Sequence, residues 1–316
     1  MAGQIWATSS LGSVMAQPYL SDRLRHVAQP MFRFRQFVDV KEAIGRNRGE
    51  SFLFDKSGNV ATQGGTLVET STIPQTQFAT TQGTAVITEY GNSVPWTGKV
   101  EALAQFQLPS IVEQKLRDDQ VKVLESACGD QFMASELVAV MTATNGVAFT
   151  TNGTAATTST SNLTASNVRS IVNYMKKKHI PKYDGRNYIC IASVEALSGL
   201  HNDVGTGGWV DISKYTSEYA KNVFNGEAGN YYMTKFVEET GYLSNAIGSG
   251  SVYGQAVFFG ADTVYEAVAI PEEVRVKTSV DYDRDQGLAW YALLGFKIVW
   301  NYTADAEQHI VVVTSA

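Results

Sequence analysis

Apolar residues recur at helical spacing most persistently between Pro109 and Met141. At 100° per residue, Leu108, Val112, Leu116, Val123, Ala127, Ala134, Leu137, Val138 and Met141 fall on one stripe. Glu113, Lys115, Arg117, Asp118, Lys122 and Glu125 fall on the other side. Pro109 suits a first helical turn, where its missing N–H has no partner to lose. The pattern predicts a rod of roughly 50 Å at about 1.5 Å per residue. Gly129–Asp130 is the one point that invites a break, a C′ glycine before a fresh N-cap. Asp119, Gln120 and Asp130 interrupt the stripe, so one side of the rod is expected to meet a neighbour or water.

Residues 1–20 carry isolated apolar anchors in a small, polar background, the pattern of an extended arm. Ser21 caps a predicted short helix that Pro30 ends. Phe32, Phe34 and Phe37 interleave with Arg33 and Arg35, which predicts a strand. From Glu50 to Trp96 the chain turns to Thr, Gly and Gln, with short β-type runs at Phe52–Phe54, Thr66–Val68 and Thr84–Tyr90. A two-stranded flap of this composition cannot bury itself in water, so its partner is expected on another subunit.

Thr142–Ser161 is predicted to be a surface hairpin. Thr164 or Ser166 opens a helix with Val168, Ile171, Val172 and Met175 on one face, closed before Pro181. Lys176, Lys177, Lys178 and His179 occupy its last turn, where cations complement the helix dipole. Tyr188–Ala192 reads as a buried strand, and Ser193 as the cap of the next helix. Asp211 or Ser213 opens another helix, followed by the turn NGEAGN and the strand YYMTKFVEE. Gln255–Phe259, Val274–Val280, Leu288–Asn301 and His309–Thr314 are predicted strands, while Tyr265–Ala269 fits strand or helix. The half after residue 165 is therefore an α/β sandwich of strands and covering helices.

The 316 residues exceed one average domain, and 44% apolar with 18% charged is ordinary globular composition. The net charge of −6 argues against a dedicated nucleic-acid binder. It is unevenly spread: seven cations against four carboxylates leave residues 1–50 at +3 and the remainder at −9. Cys128 and Cys190 sit in apolar contexts and are expected to be buried free thiols in a reducing compartment. The first residues lack a secretory pattern, and no apolar run approaches a membrane span.

Candidate chemistry is thin. Asp281, Asp283 and Asp285 resemble an acidic calcium loop, but Gly287 comes one place late and Ala292 stands where the closing Glu belongs. A turn between strands is the better reading. GTGG at 205–208 follows a helix rather than a strand, and GSGSVYG at 248–254 has no lysine. The four histidines, His26, His179, His201 and His309, have no metal-ligand spacing, and GxSxG is absent. No catalytic, cofactor-binding or metal residue is assigned, and an enzyme is the least favoured class.

The succession of arm, β-flap, long helix, α/β unit and returning β-segment resembles the major capsid protein of tailed bacteriophages. NVFNGEAGNYYMTKFVEET (222–240) is similar to the Gly-Glu-(Ile/Ala)-Gly turn and strand of the capsid group typified by short-tailed phage N-four. GQAVFFGADTVYEAVAIP (254–271) and DRDQGLAWYALLGFKIVWN (283–301) resemble its following strand and its Gly-Phe segment. The resemblance implies an α+β fold: an N-arm over 1–49, an E-loop β-flap over 50–98, and a P-domain with its spine helix over 99–164. An α/β A-domain over 165–285 and a returning P-domain segment over 286–316 complete it.

It further implies a shell subunit that assembles in the host bacterial cytoplasm into an icosahedral virion around double-stranded DNA, as pentamers and hexamers. A separate scaffolding protein, a portal and, optionally, a decoration protein are the implied partners, with no cofactor and no membrane. Lys56 and Lys99 lie away from the flap tip, so no covalent cross-linking is expected. Arg23, Arg25, Arg33 and Arg35 carry the basic excess and are the candidates for non-specific DNA contact, with intersubunit ion pairs as the alternative. An encapsulin-type compartment shares the implied fold. An adhesive or carbohydrate-binding virion protein is the rival from another class, suggested by the Thr/Gly-rich stretches and fifteen tyrosines. If the aspartate triplet is only a turn, millimolar calcium added to chelated protein leaves the melting temperature unchanged; a saturable rise contradicts it.

Overall fold

The computed structural model describes residues 29–30, 32–43, 49–58, 60, 64–70, 72–104, 106–203, 227–278 and 284–316. The helices predicted from Ser21 and from Asp211 or Ser213 lie outside the described residues, as do Arg23, Arg25, His26, the glycines at 205–208, Asp281 and Asp283. A 3-10 turn at Arg35–Phe37 precedes β1 (Asp39–Ala43), β2 (Ser51–Ser57), β3 (Thr80–Val86) and β4 (Thr88–Thr97). Helices α1 (Gly98–Leu103) and α2 (Leu108–Met133) follow, then β5 (Val138–Ala143), β6 (Gly146–Thr150), α3 (Ala165–Lys177), β7 (Tyr188–Ala192) and α4 (Val194–His201). The remainder is mostly strand: β8 (Glu227–Tyr231), β9 (Thr234–Glu238), β10 (Ala256–Phe259), β11 (Val264–Val276), β12 (Asp285–Ile298), the single turn α5 (Tyr302–Asp305) and β13 (Ile310–Val313).

Strands β7, β10 and β13 are apolar at every position, and such runs belong inside a sheet covered on both faces. They form the centre of a seven-stranded mixed sheet ordered β6-β5-β13-β10-β7-β9-β8. Alternation along each strand divides the side chains between two cores. Cys190, Ala192, Ala256, Phe258, Val311 and Val313 pack with α3 and α4 through Val168, Ile171, Val172, Met175, Leu197 and Leu200. Ile189, Ile191, Val257, Phe259, Ile310 and Val312 point the other way, to α2 and to a second sheet. That sheet has four strands in the order β1-β11-β12-β4. The fold is α+β, as expected.

Helix α2 departs from the sequence reading at its end and along its face. It stops at Met133, not Met141. Ala134 N–H closes the last turn on Asp130, and Val138–Ala143 leaves to become β5 beside β13. Leu137–Met141 is buried throughout, and only a strand inside a sheet covers both sides of such a run. Gly129 causes no break, because the Tyr242 ring lies against it where a Cβ would come within 2.8 Å. The buried stripe runs through Val112, Leu116, Leu124, Cys128 and Phe132, leaving Val123 and Ala127 half-buried.

Other expectations divide similarly. Thr164 caps α3 by accepting the Asn167 N–H, and the predicted face of α3 is the buried one. Ser193 stands at the α4 N-cap without a side-chain cap bond. The region read as Phe32–Phe37 strand is instead an irregular approach and a 3-10 turn, with Phe34 and Phe37 buried. Thr66–Val68 is not a strand, and Thr84–Tyr90 is divided between β3 and β4. Of the turn expected at NGEAGN, Asn225 and Gly226 lie outside the described residues and Glu227–Asn230 belong to β8, which turns into β9 at Tyr232–Met233, both with positive φ (45° and 61°) as a two-residue hairpin requires. Tyr265–Ala269 and Val274–Val276 join in one strand, β11, whose register shifts on either side of Ile270 accommodate Pro271.

Phe132 contacts Phe34 and Phe259, with ring centroids at 5.4 Å and 5.1 Å. Phe132→Ala is expected to destabilise the subunit by about 3–5 kcal/mol. Val121→Ala, on the 50% exposed side of the same helix, is expected to stay within about 0.5 kcal/mol. Denaturant midpoints of unassembled protein measure both, and equal shifts contradict this packing.

Candidate interaction surfaces at the arm root and the flap

Among the described residues, no group of three or more His, Cys, Asp or Glu is arranged to hold a metal ion, and no helix is long and apolar enough to cross a membrane. Cys128 and Cys190 are free and buried, and burial pushes both thiols well above their ordinary value. His309 is buried beside Trp300, its Nδ1 2.7 Å from the Ala261 carbonyl, and burial pulls its pKa down. The cations closing α3 rest on aromatic faces: Lys176 on Tyr232, Lys178 on Tyr302. Asp285 pairs with Lys277 where β11 and β12 face each other. Two anchoring points stand out among the described residues.

The first anchor is where residues 32–38 join the body. The Glu125 carboxylate on α2 accepts the backbone N–H groups of Phe34 (2.9 Å) and Arg35 (3.0 Å). This is why the Phe/Arg alternation does not become a strand: its backbone donors are taken by a helix 91 residues away. Arg35 in turn grips two strand carboxylates, Glu266 at 2.5 Å and Glu272. Burial opposes the Arg35 charge, but these two carboxylates outweigh it and hold its pKa above the ordinary value. Arg35 thus makes ion pairs within its own subunit while its side chain stays 30% exposed. Arg33 is half-buried with its Nε inside the protein, close enough to Glu239 to affect that carboxyl. The sequence held one clue: Glu266 shares the inward register of Val264 in an apolar strand, so a cation had to meet it.

Glu239, fully buried, accepts the N–H groups of Gly241, Tyr242 and Leu243. Glu125 and Glu239 therefore act as caps for irregular backbone rather than as acids in a cleft. Burial raises both carboxyls above the ordinary glutamate value, against the pull of the amides they accept; each also feels an arginine, Arg35 for Glu125 and Arg33 for Glu239.

The second anchor holds the flap. Among the described residues, strands β2 and β3 pair only with each other, from Ser51↔Val86 to Ser57↔Thr80. Phe54 stacks on Tyr265 of β11 with centroids 4.9 Å apart and planes 1° from parallel. Its ring lies over Gly83, where a Cβ would fall 2.2 Å from the ring. Lys56 reaches the Asp305 carboxylate (2.5 Å) and the Val299 carbonyl (3.1 Å), with the side chains of the pair only 8% and 3% exposed. Thr81, directly across from Lys56, donates to the other oxygen of Asp305 at 2.9 Å. Burial acts to raise the Asp305 carboxyl, but Lys56, Asn301 and Thr81 together bring it below its ordinary value.

Farther out, residues 64–70 and 72–79 are exposed and carry no helix or strand. Leu67, Val68, Ile73 and Phe78 in this tip are 58–68% exposed. Four exposed large apolar residues within twelve positions make this tip a candidate surface for another molecule.

No family model matches this chain, and no curated protein does. Solved structures match over nearly its whole length. The capsid of Ralstonia phage GP4 aligns over 100% of this chain and 98% of its own, with a TM-score of 0.70 at 14% identity. The Cyanophage Pam1 capsid asymmetric unit covers 98% and 99%, with 0.65 at 13% identity. A structure from Mycobacterium phage Che8 covers 94% and 96%, with 0.64 at 11% identity. The chain therefore has the fold of these phage capsid proteins.

The carboxylate caps generate a pH dependence. Because the folded pKa values of Glu125 and Glu239 are raised, their favourable contribution is complete below the ordinary 4.5 and is lost as pH rises through the raised values. Glu125→Gln keeps an acceptor for the two amides and removes its share of that loss, so the stability gap to wild type shifts in favour of the variant as pH rises. Glu125→Ala strands both amides and costs about 1–3 kcal/mol. Denaturant midpoints across the acid-to-neutral range test this; parallel pH profiles for wild type and Glu125→Gln contradict it.

Proposed function

We propose that this chain is the major capsid protein of a tailed bacteriophage, a subunit that assembles with copies of itself into the icosahedral shell of the virion. Its fold, shared with the phage capsid structures over almost the full chain, supports this reading. The observation that carries it is the flap. The flap tip beyond a two-stranded hairpin leaves Leu67, Val68, Ile73 and Phe78 exposed, with none of the described residues covering them. A closed symmetric assembly supplies the same cover to every copy, and repetition multiplies modest contacts.

In this reading the segments keep the roles of arm (1–49), E-loop flap (50–98), spine-helix P-domain (99–164), A-domain (165–285) and returning segment (286–316). Pentamers and hexamers enclose double-stranded DNA, with a separate scaffolding protein and a portal as partners during assembly in the host cytoplasm. Non-specific DNA contact is proposed for the basic set Arg23, Arg25, Arg33 and Arg35, with ion pairs as the alternative; the pairing of Arg35 with Glu266 and Glu272 favours that alternative at this position.

Expression with the neighbouring genes, followed by negative-stain microscopy and light scattering, is expected to give closed particles. Stable monomer at high concentration with scaffold present, and no large species, overturns the proposal. Limited proteolysis of unassembled subunits is expected to cut first between Gly64 and Ala79, and much more slowly in particles. Equal cutting in both states rules out docking of the flap on a neighbour.

A further inference from the structure

We infer that the direction of the flap is set by its own subunit, through a buried latch in which Asp305 binds both flap strands at once. The consequence for assembly rests on the shell reading above; the latch itself does not.

A two-stranded hairpin has little stability or orientation of its own in water. Here, among the described residues, the paired strands meet the body along one face, from Phe52 to Lys56 on β2 and from Thr81 to Ala85 on β3, and the tip beyond them is exposed. Phe54 and Ala85 pack with Ala267 and Val299, and Phe52 lies against the same cluster. Apolar contacts of this kind hold the root down but are not directional. Direction comes from the polar part. Lys56 of β2 and Thr81 of β3 are cross-strand partners, and each donates to a different oxygen of one carboxylate. Asp305 thus grips the strand pair as a unit, and a pivot about the root breaks one bond or both.

The latch is fully furnished. Asp305 also accepts the Asn301 N–H at 3.0 Å, and the Lys56 ammonium lies 5.8 Å from the centre of the Trp300 ring. A buried ion pair gains little over well-packed apolar residues unless its geometry is good and its remaining donors and acceptors are met; its better-attested role is to specify arrangement. The floor beneath it is tied down as well. Glu136 accepts both the backbone N–H and the hydroxyl of Thr303, two residues before Asp305. Gln308 accepts the Tyr302 N–H and donates to Ser135, whose hydroxyl donates to the Ile310 carbonyl. Ser135 and Glu136 form the corner between α2 and β5. The aim of the flap is therefore referred to the end of the long helix.

Lys56→Met keeps the aliphatic stem and removes the directional bonds. In dilute, unassembled full-length protein it is expected to speed hydrogen exchange of the β2–β3 amides by about tenfold or more, leaving β7 and β10 unchanged. Thr81→Val breaks only the second grip and is expected to accelerate the same amides to a smaller extent. It also serves if Lys56→Met fails to fold. Unchanged β2–β3 exchange in the folded variants overturns the latch, and so does exchange that rises equally in every strand. A Lys56→Asp/Asp305→Lys exchange of charges that restores slow exchange supports it. Particle yield is scored separately. If wild type forms no shells, the shell reading fails while the exchange result still decides the latch.

Discussion

The face of α2 that meets both sheets at once is the contact on which the rest of this subunit depends. Leu116, Leu124, Cys128 and Phe132 fill one cluster with Ile191, Phe259 and Val312 of the seven-stranded sheet and with Trp290, Leu294 and Phe296 of the four-stranded one. Neither sheet closes this core alone. The helix is a shared wall, and its polar positions follow from that. Asp119, which interrupts the apolar stripe, accepts from the Trp290 indole and from Asn92. What looks like an imperfection in the helical pattern is a polar tie to the second sheet.

A second habit of the molecule is the use of buried carboxylates as backbone caps. Glu125 and Glu239 satisfy five main-chain N–H groups between them. Asp305 adds another from Asn301. Segments that must be irregular, the arm root and the loop after β9, would otherwise carry unpaired donors into the interior, which is costly. At Glu125 and Glu239 burial outweighs the amides they accept and raises the carboxyl, whereas at Asp305 the partners win and lower it.

The regular elements were legible where one period dominated. The α3 face, the buried run Tyr188–Ala192 and the strands near 256 and 310 follow directly from residue spacing. The end of α2 was not, because LVAVM is apolar at every position and fits a helical stripe and a buried strand equally. The arm root failed for a different reason. Its conformation is set by Glu125 and Glu266, 91 and 231 residues distant, and nothing local records that. The flap root is similar: Lys56 reads as an ordinary lysine at a loop base until Asp305, 249 residues on, is brought beside it. Long-range polar contacts leave no periodic trace, whereas burial does.

The order of the seven-stranded sheet has a consequence for synthesis. Strand β13 lies between β5 and β10, parallel to the first and antiparallel to the second. The β5–β6 hairpin is translated long before β13, yet it joins the sheet only through residues 310–313. A nascent chain on the ribosome can thus fold β7, β9 and β10 against α3 and α4, but has an open gap where β13 belongs. Closing it brings together segments far apart in sequence, a slow step in chain-entropy terms. Ribosomal products that stop short of this strand lack the piece that unites the two halves of the sheet. The seven-stranded order is therefore complete only when residues 310–313 are in place.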